Sequence, residues 1–402
     1  MKKICFVAEY MFCGGTEKSM ISLLNVLDKN KYDITLLLLK KKGELISEIP
    51  SHVKVEEILL PEDEKNDILY GKKNALKDCL RRGKIISAVI KINRGIAMRL
   101  AAKSGAAQRV WYYEKIESKI NVCTERFDVV IDYMGYGLFN TFYAARKIQG
   151  NTKISWVHFE PEQAMPDFGA FRKILGEYNC IMCVSKNSLK QVVSIMPELK
   201  EKCRVFYNIV DRNEVFRLAK EESIKKDKGK ISILSIGRLD PQKGFDYVID
   251  VIARLYKEGY QIVWNIIGEG WQREELEASI NENKYAQQSV RLLGRKINPY
   301  PYIDSCDIYF QPSRHEGYGI AVAEARAFDK PIIATDFAGA QEQIINGKTG
   351  IIVEFDKEKI YLALKNLIED SEMRKKLSNN LSMEHENMNE QLNYLENILD
   401  NA

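Results

Sequence analysis

Two carboxylates, Glu316 and Glu324, stand with seven residues between them in the segment PSRHEGYGIAVAE, residues 312–324. Gly317, Tyr318 and Gly319 follow the first, and an apolar run with helical spacing, Ile320–Phe328, carries the second. Glycine lets a backbone approach a ligand closely. The free N–H groups and dipole of a helix's first turn favour an anion there. Glu324, about one turn into such a helix, can accept hydrogen bonds from a vicinal diol. The plainer alternative is a loop glutamate followed by an exposed helix glutamate. A second block, GRLDPQKG, runs from Gly237 to Gly244. Its Arg238 offers a planar fork and its Lys243 a point charge, which together suit a diphosphate, unless both are simply solvated loop cations. A third block, EYMFCGGTE, residues 9–17, sets Gly14 and Gly15 before a helical pattern; it lacks a full G-x-G-x-x-G and reads equally as a tight turn. His158 ends the strand-like segment KISWVHFEP, as a reactive imidazole or a satisfied structural one.

These residues need a scaffold, and the surrounding pattern supplies one. Short apolar runs alternate with helical segments: Ile4–Ala8, a helix over Thr16–Leu27, then Ile34–Leu39, Phe127–Tyr133, Lys153–Phe159, Cys180–Ser185 and Cys203–Tyr207. The second half repeats the plan. Ile231–Ile236 ends in Gly237, a helix spans Phe245–Lys257, and Ile262–Ile267 ends in Gly268 before a helix from about Trp271. Val290–Leu293 ends in Gly294; Asp307–Gln311, Pro331–Thr335 and Gly350–Val353 complete the set. Continuous apolar strands separated by helices predict parallel sheets buried on both faces, with ligands at the strands' C-terminal ends. The hinge is placed near Asn208–Glu214, before the charged stretch Glu221–Lys230. The predicted domains are residues 1–207, 208–383 and a helix over 384–402 with Leu392, Leu395, Ile398 and Leu399 on one face.

Length and composition bound the function. A chain of 402 residues accommodates two domains, and Lys+Arg 60 against Asp+Glu 56 is too even to indicate nucleic acid. Cys180 and Cys183 form a C-x-x-C inside an apolar run and read as buried, reduced thiols of a cytoplasmic protein. No signal peptide and no membrane span of about 20 apolar residues is expected. Lys72–Lys119 is rich in Lys and Arg, including Lys72, Lys73, Arg81, Arg82, Arg94 and Arg109, interleaved with apolar residues and followed by Trp111-Tyr112-Tyr113. It reads either as basic helices lying on anionic lipid or as surface helices with extended lysine stems.

Taken in order, the segments GGTEKS, ISWVH, VFYNIVD, SIGRLDPQKG, IIGEG, VRLLG, SRHEGYGIAVAEA and KPIIATDFAGAQEQIINGKTGIIV resemble the family-4 retaining glycosyltransferases. The resemblance covers nearly the whole chain and is densest over Ile231–Val353. It implies the α/β GT-B fold, two Rossmann-like domains facing each other across a cleft. It also implies a nucleotide-diphosphate sugar donor, UDP first, and a glycan or polyprenyl-diphosphate-linked saccharide acceptor in capsule or cell-surface polysaccharide synthesis. By the same resemblance Arg238 and Lys243 bind the donor diphosphate, Glu316 the donor sugar and Glu324 the ribose. Tyr318–Ile320 contact sugar and phosphate through the backbone, Gly294 and Arg295 line the base pocket, and Gly15, Gly237 and Gly268 belong to the donor loops. His158 contacts the transferred sugar. No cofactor and no metal are expected, since no D-x-D stands where one would be held and the two cations replace its charge. The expected site of action is the cytoplasmic face of the membrane. The family's usual acidic or small polar residue after the histidine is replaced here by Phe159-Glu160-Pro161, and its small, glycine-ending stretch by Arg326–Asp329. The alternatives are a sugar-nucleotide epimerase of this architecture, a phosphorylase-like enzyme, disfavoured on chain length, and a non-catalytic scaffold.

Overall fold

Runs of Ile, Val and Leu with no polar alternation become the centres of two all-parallel sheets. The structure, a computed structural model, describes all residues except Tyr136, Pro166, His385 and Glu386. The side chains of Glu62, Asp63, Tyr70, Lys72, Lys73, Ala164 and residues 387–389 also lie outside the description. The Lys72 and Lys73 expectations, and the junction of the expected C-terminal helix, therefore lie outside the described residues. The chain divides into two units. The N-terminal unit comprises Met1–Thr16, Leu27–Phe206 and Glu396–Ala402; the C-terminal unit comprises Glu17–Val26 and Tyr207–Leu395.

In the N-terminal unit, β1 (Lys2–Ala8), β2 (Tyr32–Leu38), β3 (Lys54–Glu57), β4 (Arg126–Asp132), β5 (Gln149–Val157), β6 (Cys180–Cys183) and β7 (Cys203–Val205) form one sheet in the order β3-β2-β1-β4-β5-β6-β7. Every pairing is parallel. Helices cover the sheet, and the largest packed side chains, among them Phe139, Phe142, Phe168, Phe171 and Tyr178, are fully buried. Residues from the far end of the chain complete this unit: the Lys2 ammonium donates to the Leu399 and Ala402 carbonyls, each at 3.0 Å, and the Tyr32 hydroxyl to Asp400 at 2.8 Å.

The C-terminal unit repeats the architecture with β8 (Ile231–Ile236), β9 (Ile262–Ile267), β10 (Val290–Leu292), β11 (Ile308–Gln311), β12 (Ile332–Thr335) and β13 (Ile351–Val353), ordered β10-β9-β8-β11-β12-β13. The helix Phe245–Lys257 is amphipathic by sequence. It buries Phe245, Val248, Ile249, Ile252 and Leu255 against Trp264 and Phe310 and turns Asp250, Arg254 and Lys257 outward.

Most expected strands and helices recur within one or two residues. Two differences have clear causes. The helix expected from Trp271 starts at Arg273, because Gly270 packs against the Leu239 carbonyl and Trp271 is left 72% exposed. Part of the expected hinge is helical, Arg212–Ala219, because Asp211 caps it by accepting from the Glu214 N–H at 3.2 Å.

Candidate active site

In both sheets the strand order reverses beside the first strand of the unit, β1 against β4 and β8 against β11. In doubly wound sheets the crevice at such a reversal receives ligands. The two most informative sequence blocks both leave that point in the C-terminal unit. Gly237–Gly244 follows β8, and Pro312–Gly319 follows its neighbour β11.

Backbone and side-chain bonds join these loops. The Arg314 N–H donates to the Gln242 carbonyl at 2.8 Å, and the Gln242 side-chain amide donates to the His315 carbonyl at 3.0 Å. Gly244 holds φ at 69°, and a β-carbon there would stand 2.1 Å from the Pro312 carbonyl oxygen, so only glycine allows the approach. Arg314 is bidentate to Asp246, with both bonds 2.9 Å, and so ties the loop to the helix Phe245–Lys257.

The result is a compact charge pair. The Lys243 ammonium lies 2.9 Å from Glu316 Oε1, with side chains only 16% and 9% exposed. Gln311 donates to the same oxygen at 3.0 Å, and the Ser313 hydroxyl also donates to it. Arg238 is held differently. Its Nε bonds to Asp240, yet 67% of its side chain is exposed, so its guanidinium reaches toward solvent from the end of β8. Glu324, one turn into the helix Ile320–Ala327, is buried and accepts from the Tyr300 hydroxyl at 3.0 Å. Gly319 caps that helix in the left-handed region at φ 85°, with no side-chain hydrogen bond to its N-terminus among the described residues. The Tyr318 and Gly319 carbonyls accept from Gln343, and Gly339 packs directly against the Tyr318 backbone. Tyr318 itself is buried, which raises its phenol to about 12, and it stacks on Tyr207. Gly268 lies at the end of β9, its N–H bonded to the Gly294 carbonyl at 3.0 Å, which brings the expected base-pocket residues to the same edge. Arg295 is exposed there.

Thus Gly237, Arg238, Lys243, Gly268, Gly294, Arg295, Glu316, Gly317, Tyr318, Gly319, Ile320 and Glu324 all lie in the C-terminal unit at or just beyond strand ends. Sequence reasoning missed the partners that fix them. Gln311 and Ser313 are close enough in sequence to Glu316 to have been suspected. Tyr300, Asp240 and Gln343 carry no comparable signal, because their roles arise only from the folded path.

Gly15 and His158 belong to the N-terminal unit. Gly15 begins the helix Gly15–Val26. His158 sits one residue past β5. Its Nε2 is 2.8 Å from the Tyr133 carbonyl, which assigns the proton to Nε2 and leaves Nδ1 as an acceptor. Nδ1 is buried and without a partner among the described residues. Burial holds the imidazole down to about 3, outweighing that hydrogen bond, so the ring is neutral at physiological pH. Nearby Asp132 is fully buried, and burial raises its carboxyl to about 6 against donors from Asn140 at 2.6 Å and Ser155 at 3.0 Å.

These two groups pull the pH dependence of stability in opposite directions. Below its ordinary value of 6.5, unfolded His158 gains a proton that the folded chain refuses. Stability is therefore lost as pH falls from 6.5 toward 3, by about 2 kcal/mol at pH 5. Folded Asp132 takes its proton before the unfolded carboxyl does, so acidification returns roughly 1 kcal/mol by pH 5. Urea unfolding of His158→Gln should show its stability deficit relative to wild type shrinking by about 2 kcal/mol between pH 7 and pH 5. An unchanged deficit would show that His158 is not held neutral.

No His, Cys, Asp or Glu cluster among the described residues could hold a metal ion, and all eight cysteines are free.

Comparison with known proteins gives the site its context. Residues 216–382 match the family model described as glycosyl transferases group 1. The chain is 34% identical over 197 residues to the N-acetylgalactosamine-N,N'-diacetylbacillosaminyl-diphospho-undecaprenol 4-alpha-N-acetylgalactosaminyltransferase of Campylobacter jejuni, covering 48% of this chain and 52% of that one. It is 29% identical over 150 residues to the capsular polysaccharide biosynthesis glycosyltransferase CapM of Staphylococcus aureus, covering 36% and 38%. The match spans 52% of the first of these relatives and 38% of the second. Among solved structures, Anabaena Alr3699/HepE in complex with UDP-glucose superposes with a TM-score of 0.68 at 17% identity, covering 100% of both chains. WaaG, a glycosyltransferase involved in lipopolysaccharide biosynthesis, superposes at 0.62 and 11% identity, covering 98% and 99%. The two parallel Rossmann-like sheets thus have the GT-B fold of these solved structures, and residues 216–382 are similar to the glycosyl transferases group 1.

Proposed function

We propose that this protein transfers a sugar from a nucleotide-diphosphate sugar to a glycan or lipid-linked saccharide in cell-surface polysaccharide synthesis. Transfer retains the anomeric configuration and uses no metal ion. The observation that carries this reading is the meeting of Lys243 with Glu316 at the ends of adjacent strands β8 and β11, beside exposed Arg238.

The chemistry follows from the charges. The bond from the sugar's anomeric carbon to the diphosphate oxygen breaks, and its electron pair leaves with the phosphate. Arg238 and Lys243 stabilise that growing negative charge, the role a metal ion fills elsewhere. The acceptor hydroxyl oxygen bonds to the anomeric carbon on the face the phosphate leaves, and its proton passes to the departing phosphate oxygen. Glu316, whose Oε1 is oriented by three donors, orients the sugar hydroxyls, and Glu324 accepts from the ribose diol. UDP is the first choice of nucleotide, supported by the UDP-glucose complex of the solved Anabaena relative.

Thermal melts with UDP, GDP, ADP and CMP in EDTA test the donor site. One diphosphate at ~100 times its dissociation constant should stabilise the fold by roughly 2.7 kcal/mol, and the Arg238→Ala/Lys243→Ala variant should lose that shift. Stabilisation that disappears with EDTA would overturn metal independence. No shift with any of them, in a chain that melts cooperatively, would overturn the donor assignment.

A further inference from the structure

The helix Ile85–Ala101 in the N-terminal unit is built inside out. Its inward side carries the small or flexible Ala88 and Met98, together with two cations turned to a buried carboxylate. Lys91 lies 2.6 Å and Arg94 3.8 Å from Asp67, which also accepts from the Tyr112 hydroxyl at 2.9 Å. Its outward side is apolar. Ile85, Val89, Ile92, Ile96 and Leu100 recur at intervals of three and four residues along one stripe, with Ile86 beside them. All six are exposed, Ile86 by 79% and Leu100 by 84%. A helix normally turns such a stripe to the core, and a contiguous exposed apolar patch marks a binding surface. The aromatic residues after the basic stretch do not extend this surface, because Tyr112 and Tyr113 are buried in the N-terminal core.

Charge identifies the occupant. From Gly83 to Tyr113 the chain holds Lys84, Lys91, Arg94, Arg99, Lys103 and Arg109 and no Asp or Glu. Lys84 precedes the stripe, and Arg99 and Lys103 flank its far end, all exposed. A second copy laid on this face would bring like charges together, whereas anionic headgroups would neutralise them while the isoleucines enter the acyl boundary. No helix among the described residues is long and apolar enough to cross a membrane, so this one would lie in the interface.

We infer that the outward face of Ile85–Ala101 docks the protein on the surface of an anionic phospholipid bilayer. Binding needs no sugar transfer, so it is measured independently of the donor site. The full chain is sedimented with vesicles of phosphatidylcholine alone and of phosphatidylcholine mixed with phosphatidylglycerol. Wild type should bind the mixed vesicles and bind neutral ones about tenfold or more weakly, with salt weakening the first. Ile86→Glu/Ile96→Glu should bind mixed vesicles about tenfold or more weakly while keeping the melting temperature and the nucleotide shift of wild type. If that variant melts early, Lys84→Gln/Arg99→Gln/Lys103→Gln replaces it, with the same expected loss on mixed vesicles. Wild type that does not sediment, or apolar and cationic variants that bind like wild type, would overturn the inference. So would light scattering that shows a wild-type dimer and a monomeric Ile86→Glu/Ile96→Glu variant, since the face would then be closed by a second copy.

Discussion

Lys243→Ala should lower kcat/KM for sugar transfer by about a thousandfold, with the loss mainly in kcat. A preorganised cation that meets charge developing on a leaving group contributes most in the transition state, and removing one such contact typically costs about 10²–10³ in rate. The position of Lys243 places it at the upper end, because it is largely buried and already aligned by Glu316. The same substitution strips Glu316 of its cation in a site with little solvent, which should cost roughly 2–3 kcal/mol of stability. The two effects separate in a second variant. Lys243→Met/Glu316→Gln removes both charges and keeps hydrogen-bonding capacity toward Ser313 and Gln311, so its melt should return toward wild type while activity stays low. Arg238→Ala should behave differently: that side chain is mostly exposed, so activity should fall with almost no change in the melt. Wild-type turnover in Lys243→Ala would remove the leaving-group role, and a Lys243→Met/Glu316→Gln melt no better than that of Lys243→Ala would show that the pair's charge is not what the fold feels.

Gly268→Ala should have a large effect on folding. A β-carbon there would stand 1.8 Å from the Gly237 carbonyl oxygen, and the backbone holds φ at 155°, where side chains are strained whatever the space. Neither neighbour is a flexible side-chain tip, so strands β8 and β9 would have to part at their C-terminal ends. We expect at least about 3 kcal/mol of destabilisation, read as an early melt or as insoluble protein. Gly229→Ala is the internal comparison. Its φ is also positive, 77°, but nothing lies within 4 Å of the added carbon, so only the conformational cost of about 1 kcal/mol should appear. Equal melts for the two variants would show that the close approach of Gly268 to Gly237 is not a constraint.

The sequence was most transparent where burial is symmetric. Ile231–Ile236 and Ile262–Ile267 are mostly apolar, broken only by Ser232, Ser235 and Asn265, as a sheet covered by helices requires, and both strands occur with the expected bounds. The chemistry-bearing blocks were legible for a related reason. Their glycines mark backbone crowding, and crowding at a strand end is where a doubly wound sheet receives its ligand. What stayed hidden depends on which way a side chain turns. Lys91 and Arg94 look solvated in a basic stretch, but a carboxylate more than twenty positions away, Asp67, draws them inward and turns the isoleucines out. Trp111-Tyr112-Tyr113 looks like a surface cluster, yet two of its members fill the core. His158 appeared as a residue at a strand end; its neutrality follows from burial and a single carbonyl partner, which spacing does not encode.

The bonds from Lys2 and Tyr32 to Leu399, Asp400 and Ala402 also set an order of events during synthesis. The first strand is made long before it can be completed, because contacts that belong to its own unit arrive 397 residues later. Until then the N-terminal unit exists only in an unfinished form, while the C-terminal unit is translated and has time to organise its sheet. Contacts of such long sequence separation close slowly. The N-terminal unit should therefore complete its fold after the C-terminal unit has formed its sheet.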